Sequence, residues 1–309
     1  MRKVCLFVFN PISGENGLTV EDLVEMVQVK LPQYDTHIFE TTGQGDAEKI
    51  KMEYDRLYPD LVLVGGGDGT VKLAAKALQE MSTTLCIVPL GSANGLAKCM
   101  GINTIEDAWE AVRTFQVHHI DAIHINGELC LHLADFGFNA NLVKKFESTD
   151  GRGMLAYITS SVSEIFSTEP KLFRLNINGD TKEVSAKMLV IANGDQYGTG
   201  ALINCKGKMD DGKFEIIALN PESAKDYIRM TMAMFKGDLE EQDSSRVFRC
   251  ESCVIENPEN VEFQIDGELM GKPHSVEAVI KKEAFQFITS KKYAACQKSF
   301  PKPIINSGL

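Results

Sequence analysis

The chain has 309 residues, of which 44% are hydrophobic and 24% charged, and its formal net charge is −11 at pH 7. This length is enough for about two domains that each bury a core, and the composition is that of an ordinary soluble, globular protein. The acidic balance argues against a nucleic-acid partner, since phosphate backbones need a basic surface. No apolar run in the chain approaches the ~18 residues that a membrane span needs.

The N-terminal stretch and the cysteines favour a cytoplasmic protein. The apolar run that begins at Val4 stops at Asn10-Pro11, too early for a signal sequence, and is typical of a first strand. The eight cysteines are scattered, which favours reduced thiols over a disulfide framework. Cys250 and Cys253 have C-x-x-C spacing without a second pair or a flanking histidine, so a metal or redox role is the lesser alternative.

Residues 1 to about 120 alternate between strand and helix patterns. Strands are predicted at 4–9, 37–39, 61–64 and 84–89, and helices at 46–58, at 70–81 and from 104 onward. Another helix follows Thr19, which forms a capping-box pattern with Asp22, and Thr104 forms the same pattern with Asp107. The alternation predicts a parallel sheet covered on both faces, with ligands at the carboxyl ends of its strands.

From about residue 117 the pattern changes to hairpins and short strands. Asn126-Gly127 and Asn178-Gly179 are hairpin signals, and helices are predicted near 153–167 and 222–236. Strands are predicted at 117–125, 128–134, 171–177, 182–192, 213–219, 246–256, 260–266, 275–280 and 284–290. We therefore expect an α/β N-terminal domain with a parallel sheet over 1–120 and a mainly antiparallel β-sandwich domain over 121–291. The tail, about 292–309, is expected to return to the first domain.

A glycine turn follows the buried strand 61–64. Gly65-Gly66-Gly67-Asp68-Gly69-Thr70 separates that strand from a helix, and helix N-termini offer unpaired N–H groups and a positive dipole end to phosphate. Taken alone, such a sequence is as often a tight turn as a phosphate site. Comparable loops follow the other strands, at 10–14, 41–46 and 91–94, and all would lie at one edge of a parallel sheet.

Two further turns carry acidic residues. Asp266 and Glu268 end an alternating strand at i and i+2, so their carboxylates can share one site and provide a general base. An ordinary D-G turn is the equal alternative. The turn 208–213 could coordinate a cation through carbonyls and one carboxylate, although such a sequence is more often only a turn. The six histidines show no metal spacing, and we assign them no role.

The order of these motifs resembles that of one family. N-P-x-S-G begins at residue 10, T-x-x-x-G-D-A lies at 41–47, G-G-D-G-T at 66–70, P-L-G-S-A-N at 89–94, G-F-N-A at 137–140, N-G-x-x-Y-G-x-G at 193–200, D-G at 211–212 and D-G-E at 266–268. Over nearly the whole chain this is similar to the diacylglycerol kinase catalytic-domain family, close to the stand-alone bacterial lipid kinases. G-G-D-G-T is shared with NAD kinases, whereas N-P-x-S-G, P-L-G-S-A-N and D-G-E are more specific to the lipid kinases.

The resemblance implies an ATP- and Mg²⁺-dependent lipid kinase with its active site in the cleft between the domains. Its acceptor would be the hydroxyl of diacylglycerol or a related lipid alcohol, reached during transient peripheral contact with a membrane. By position, Asp266 and Glu268 correspond to the site of the proton acceptor, and Asp68 to a helper in the catalytic magnesium network. The implied nucleotide-binding residues are Asn10, Thr41, Gly66, Gly67, Asp68, Gly69, Thr70, Gly91, Ser92 and Asn94.

The same resemblance implies a structural Mg²⁺ at the turn 208–213. Lys208 and Lys213 would supply carbonyl oxygens, and Asp211 would supply its carboxylate. The resemblance therefore favours a cation site at this turn, whereas its residues alone favour an ordinary turn.

Several positions depart from the family's pattern. Gly95 stands where many members have Asp, Thr199 where glycine is common, and Asn204-Cys205 where proline is frequent, while Ser92 replaces the usual Thr and keeps its hydroxyl. The missing carboxylate at 95 leaves the metal network, the acceptor contact and the substrate open.

Other functions stay open beside the lipid kinase. A sphingoid-base kinase is the nearest alternative, followed by an NAD kinase-like enzyme with a soluble acceptor and by a catalytically silent nucleotide sensor. The oligomeric state, a homodimer included, is also open. Residues 281–309 carry six lysines against one glutamate, which is either a contact for an anionic surface or a solvated lysine face.

Overall fold

The computed structural model describes residues 2–14, 19–137, 169–197 and 201–293. The helix expected near 153–167, most of the G-F-N-A motif, Thr199 and the tail beyond 293 lie outside these residues. No helix in the described ranges is long and apolar enough to cross a bilayer. The cysteines that fall within them are free thiols, as expected.

The first part of the chain alternates strands and helices as the sequence predicts. Its elements are β1 (Lys3–Phe9), α1 (Val20–Lys30), β2 (Tyr34–Glu40), α2 (Asp46–Leu57), β3 (Leu61–Gly66), α3 (Asp68–Leu78), β4 (Thr84–Pro89), α4 (Gly95–Cys99) and α5 (Ile105–Thr114). The strands pair in parallel in the order β2-β1-β3-β4. β1, β3 and β4 are apolar and buried along most of their length, as strands covered on both faces are. The parallel sheet is thereby confirmed.

Two helices begin at the predicted capping boxes. The hydroxyls of Thr19 and Thr104 accept the backbone N–H of Asp22 and Asp107, and those carboxylates accept the N–H of the threonines in return. Each exchange satisfies backbone donors that a helix start leaves unpaired. α3 differs, because the residue before it is Gly67 and no side chain caps it in the described residues. The sequence pattern predicts no element at the short helix α4.

The rest of the chain is mainly antiparallel β structure. Its elements are β5 (Gln116–Ile125), β6 (Glu128–Cys130), β7 (Leu133–Phe136), β8 (Lys171–Ile177), β9 (Asp180–Ala186), β10 (Met188–Ala192), β11 (Phe214–Leu219), α6 (Ala224–Lys236), a 3-10 turn (Leu239–Glu241), β12 (Ser245–Cys250), β13 (Ser252–Glu256), β14 (Phe263–Ile265), β15 (Glu268–Gly271) and β16 (Ser275–Thr289). One sheet has the order β12-β11-β10-β7-β14-β15. It packs on strands of the other sheet through a core that includes Phe136, Phe173 and Phe263. The expected β-sandwich is confirmed.

The long strand β16 joins the two halves of the chain. Gln286 and Phe287 pair in parallel with Thr84 and Leu85 of β4 on one side of β16. On the other side β16 pairs antiparallel with β5 as far as Thr289. The first residues of β16, 275–279, pair antiparallel with β13. The resulting sheet has the order β2-β1-β3-β4-β16-β13-β8-β9, with β5 and β6 beside this path. The parallel sheet therefore continues into the sandwich, and backbone hydrogen bonds fix one half against the other.

The structure corrects several predicted strands. The runs 128–134, 182–192 and 246–256 were each expected as one strand, but they form β6 and β7, β9 and β10, and β12 and β13, with the members of each pair in different sheets. Where the chain bends from one sheet into the other, the alternation of apolar and polar residues continues. The alternation therefore indicates which residues are buried but not that the strand has changed sheet. Conversely, 275–280 and 284–290 form the single strand β16, which has a register shift around Glu283 at φ +51°.

Candidate active site

The loops after β1, β2 and β3 lie side by side at one edge of the parallel sheet. The N–H of Asn10 donates to the carbonyl of Gly65 at 2.9 Å, and the N–H of Thr41 donates to the carbonyl of Phe9 at 2.8 Å. The Asn10 amide also donates to the hydroxyl of Thr70, at 3.2 Å. The structure therefore brings together three of the loops in which the sequence predicts nucleotide-binding residues.

Glycines allow the loop after β4 to touch the loop after β3. The N–H of Leu90 donates to the carbonyl of Gly66 at 3.2 Å. A Cβ on Gly91 would lie only 2.5 Å from the Cα of Gly67, so a side chain there would force the loops apart. A Cβ on Gly69 would meet nothing within 4 Å, which leaves the start of α3 open to a ligand.

The N-terminus of α3 is suited to an anion. No side chain caps it within the described ranges, so a bound anion can take the place of a cap, and the helix dipole favours negative charge there. In the neighbouring loop Asn94, at φ +53°, accepts the N–H of Gly91 at 2.9 Å and donates to its carbonyl at 2.5 Å. Asn94 therefore shapes this loop, whereas Ser92 is exposed and its hydroxyl can reach a ligand. Gly66–Thr70 is called the phosphate turn below.

Asp68 holds the loop after β4 against α3. Its two carboxylate oxygens accept the backbone N–H groups of Gly95 and Leu96, at 2.8 and 2.9 Å, at the start of α4. The resemblance implies a place in a magnesium network for this carboxylate, and the structure gives it two protein donors. Since a carboxylate has about four lone-pair positions, these bonds leave acceptor capacity on Asp68.

Asp266 occupies a tightly held position between β14 and β15. Its φ is +50°, and its carboxylate accepts the backbone N–H groups of Leu131, His132 and Leu133 at 3.0, 3.0 and 3.2 Å. Its side chain is only 2% exposed. Burial raises the pKa of Asp266, and the positive charge of Lys72 together with the backbone donors opposes that shift. Asp266 is therefore an anchor for the turn that carries Glu268.

Glu268 is the accessible carboxylate of this pair. Its side chain is 65% exposed and accepts a hydrogen bond from the Lys72 ammonium at 2.9 Å. The same ammonium lies 3.8 Å from the Asp266 carboxylate and 3.4 Å from the carbonyl of Ile265. Lys72 belongs to α3, one helical turn after Asp68, so it links the phosphate turn to Asp266-Gly267-Glu268, called the acceptor turn below.

The turn 208–213 packs against a buried carboxylate from β5. Asp121 accepts the N–H of Gly212 at 2.6 Å and the N–H of Glu283 at 2.7 Å. Burial raises the pKa of Asp121, and the negative charges of Asp210 and Asp211 shift it in the same direction. The possible metal ligands at this turn are carboxylate and carbonyl oxygens surrounded by negative charge, and a hard cation such as Mg²⁺ prefers such ligands. No cluster of three or more His, Cys, Asp or Glu ligands occurs in the parts of the chain that the structure describes.

Asn193 connects the support of this turn to the acceptor turn. It is almost fully buried, and its amide donates to the carbonyls of Asp121 and Leu131, both at 2.8 Å. Since the N–H of Leu131 holds Asp266, one buried amide ties the two regions together. The Asn of the N-G pair at 193–194 thus has a structural role, which the motif alone did not indicate.

Sequence reasoning missed three residues that lie beside the predicted site residues. Lys72 lies on α3 between buried residues, and a lysine at such a position is the signal that could have identified it. His132, to which the sequence assigned no role, donates its N–H to Asp266, and its ring lies 2.6 Å from the carbonyl of Gln196. Asp121 lies in a strand that is otherwise apolar at this point, which is a similar signal.

The fold and this site define a class of protein. The α/β half has glycine loops at the ends of its parallel strands. The acidic turn of the antiparallel sandwich lies at the same edge, where Glu268 accepts a hydrogen bond from Lys72. A diacylglycerol kinase and an NAD kinase of known structure share this fold.

Comparison with known proteins gives the family. Residues 4–125 match the diacylglycerol kinase catalytic domain, and residues 134–286 match the YegS C-terminal NAD kinase beta sandwich-like domain. Over 272 residues the chain is 23% identical to a diacylglycerol kinase from Bacillus subtilis (strain 168), covering 85% of this chain and 89% of that relative. The chain belongs to the diacylglycerol kinase catalytic-domain family of lipid kinases.

Solved structures show the same fold. A diacylglycerol kinase from Bacillus anthracis str. Sterne matches with a TM-score of 0.68 at 23% identity, covering 94% of this chain and 98% of that chain. An NAD kinase from Archaeoglobus fulgidus, solved in complex with ATP, matches with a TM-score of 0.53 at 12% identity, covering 96% and 97%.

Proposed function

We propose that this protein transfers the γ-phosphate of ATP, with Mg²⁺, to a lipid hydroxyl, most simply that of diacylglycerol or a related lipid alcohol. One observation carries the proposal: the exposed carboxylate of Glu268 is held by Lys72, a residue of the same helix whose N-terminus forms the phosphate turn. A phosphoryl transferase needs a phosphate cradle and a proton acceptor in one cleft, and this arrangement would provide both.

ATP would bind at the carboxyl ends of the parallel strands. The open approach at Gly69 and the uncapped start of α3 suit a phosphate group. Thr41 and Ser92 add hydroxyl groups that can bond phosphate or ribose, while the buried Thr70 hydroxyl bonds Asn10 and keeps one proton to donate. Asn10 and Asn94 would act mainly by fixing the loops, since their side chains already bond protein atoms. The relative from A. fulgidus, which has this fold, was solved in complex with ATP.

Glu268 would accept the proton of the attacking hydroxyl. It is the more exposed of the two carboxylates and accepts one bond from Lys72, whereas Asp266 is buried and held by three backbone donors. Of the pair that the sequence assigned to this role, Asp266 would then position the turn and Glu268 would do the chemistry. Removing the proton during in-line attack makes the hydroxyl oxygen a better nucleophile.

Mg²⁺ would serve in two places. Bound with ATP, it would neutralise charge on the transferring phosphate, and Asp68, which has acceptor capacity on that side of the cleft, would help to hold it. At the second place, the carboxylate of Asp211 and the carbonyls of Lys208 and Lys213 would hold a structural ion on a turn that is already rich in negative charge. Mg²⁺ should therefore raise the melting temperature of the wild type and raise that of Asp211→Asn less.

A lipid acceptor is supported by the residues that follow Glu268. Leu269 and Met270 are 53% and 39% exposed on the edge strand β15, so apolar side chains stand directly beside the proposed proton acceptor. Exposed apolar side chains of this kind suit contact with acyl chains or a membrane surface. The matching relative from B. subtilis is named diacylglycerol kinase, and we carry that acceptor class to this chain as part of the proposal.

The test is ATP-dependent phosphate incorporation into mixed micelles that contain diacylglycerol, phosphatidylglycerol, sphingosine, ceramide or undecaprenol, with NAD as the soluble acceptor. Wild type is compared with Glu268→Ala and with Glu262→Ala, an exposed control just before β14. We expect labelled diacylglycerol or a related lipid alcohol with wild type and Glu262→Ala, and none with Glu268→Ala. Labelled NAD alone, or no labelled product while ATP still binds, would overturn the proposal.

A further inference from the structure

Lys72 is a buried cation between two carboxylates from a distant part of the chain. The residue is 6% exposed, and its ammonium donates to Glu268, which is 196 residues away. It is also 3.8 Å from the carboxylate of Asp266. Burying an ammonium is unfavourable unless charges and acceptors compensate it, so the three groups form one unit.

The position of Lys72 on α3 gives this unit a geometric consequence. The helix starts at the phosphate turn, and Lys72 lies one turn further along, on the same face as Asp68. A helix is rigid over this distance, so the group that holds Glu268 keeps a fixed spacing from the N–H groups offered to phosphate. A relative shift of the α/β half and the sandwich would change the distance between Lys72 and Glu268.

We propose that Lys72 is a positioning residue of the phosphoryl transfer: it holds the Glu268 carboxylate at a fixed distance from the phosphate turn and so aligns proton acceptor and phosphate donor. This inference rests on the proposed function. The Lys72 ammonium also places a positive charge beside the proton acceptor.

A second lysine on the same helix shows what an ordinary contact between the halves looks like. The ammonium of Lys76, one turn after Lys72, lies 3.0 Å from the carboxylate of Glu128 in β6, and both side chains are about half exposed. Exposed pairs of this kind contribute little to stability. Lys76 is therefore a matched control, since it joins the same two parts of the molecule without touching the acceptor turn.

The experiment compares wild type, Lys72→Met, Lys72→Arg, Glu268→Gln, the double variant Lys72→Met/Glu268→Gln and Lys76→Met. For each protein, kcat and KM are measured with the lipid that wild type phosphorylates, and ATP affinity is measured separately by calorimetry without acceptor. Lys72→Arg keeps the charge and provides a second variant if Lys72→Met unfolds.

We expect Lys72→Met to lower kcat by about 100-fold or more while ATP affinity stays within about 3-fold of wild type. The double variant should lose no more than about 3-fold beyond Glu268→Gln, because residues that act as one unit are not additive. Lys72→Arg should recover at least about 10-fold of the loss, and Lys76→Met should stay within about 2-fold of wild type.

The outcomes separate this inference from the function on which it rests. If wild type phosphorylates none of the acceptors, the proposed function fails, and the role of Lys72 fails with it. If wild type is active and Lys72→Met keeps kcat within about 3-fold, only the inference about Lys72 is overturned. It is also overturned if the losses of the two single variants multiply in the double variant, or if ATP affinity falls as much as kcat.

Discussion

The phosphate turn and the acceptor turn are built in different ways. The phosphate turn is held by bonds between adjacent parallel strands and by glycines that let two loops touch. The acceptor turn is held by the backbone of 131–133 and by Lys72, which is 196 residues from Glu268 in sequence. One half of the site therefore follows from local backbone geometry, and the other half depends on the assembly of the whole fold.

The largest effect on stability should come from Lys72, because it lies where the two turns meet. Lys72→Met leaves the buried Asp266 carboxylate without its cation, and we expect a loss of about 3 kcal/mol in the free energy of unfolding at pH 8. Urea unfolding measured at pH 8 and pH 5 checks this value and its pH dependence.

The destabilisation by Lys72→Met should depend on pH in a defined direction. Burial raises the pKa of Asp266, so the folded state binds this proton more tightly than the unfolded state, and stability falls as pH rises through the folded pKa. Removing the positive charge of Lys72 raises that pKa further. The destabilisation by Lys72→Met should therefore be larger at pH 8 than at pH 5. An equal loss of stability at both pH values would show that Lys72 does not stabilise the ionised Asp266 carboxylate.

The next effect tests the contact between the phosphate loops. In Gly91→Ala the new Cβ would meet the Cα of Gly67 at 2.5 Å, so the loops must separate. We expect a loss of about 1–3 kcal/mol in stability, measured by urea unfolding, together with weaker ATP binding. Gly69→Ala is the control for stability, because its Cβ would meet nothing within 4 Å. Equal stability of the two variants would show that the loops do not pack closely.

The smallest effect concerns the loop after β2. Asp46 is buried and accepts the N–H groups of Thr42 and Gly43, at 2.9 and 2.6 Å. Burial alone would raise its pKa, but these bonds and the charge of Lys49 outweigh burial and lower the pKa. The ionised carboxylate therefore stabilises the fold above its unfolded pKa, and this contribution is lost as pH falls through the folded pKa.

Asp46→Asn should accordingly lower the melting temperature at pH 7 by roughly 2–4 °C, with a smaller difference near pH 3. Asp55→Asn, an exposed change on the same helix α2, should leave the melting temperature unchanged. A difference for Asp46→Asn that is as large at pH 3 as at pH 7 would show that its charge is not the cause.

These differences explain how much of the molecule the sequence could predict. The parallel sheet, the capping boxes at Thr19 and Thr104 and the glycine turn depend on residues close in sequence, and the predictions for them agree with the structure. The partner of Lys72 could not be predicted, because no local pattern identifies a residue so distant in sequence. The exchange of strands between sheets was missed for a related reason, since alternation in a strand reports which side is buried and carries no information on the neighbouring strand.

The most direct test of this account measures ATP affinity and transfer rate on the same preparations of Gly69→Ala and Glu268→Gln. We expect a crossed result. A methyl group at Gly69 should weaken ATP binding by about 10-fold or more, whereas Glu268→Gln should leave ATP affinity within about 3-fold of wild type and lower transfer by about 1,000-fold. If Glu268→Gln keeps its transfer activity, or loses ATP affinity as Gly69→Ala does, the division into a phosphate turn and an acceptor turn is wrong.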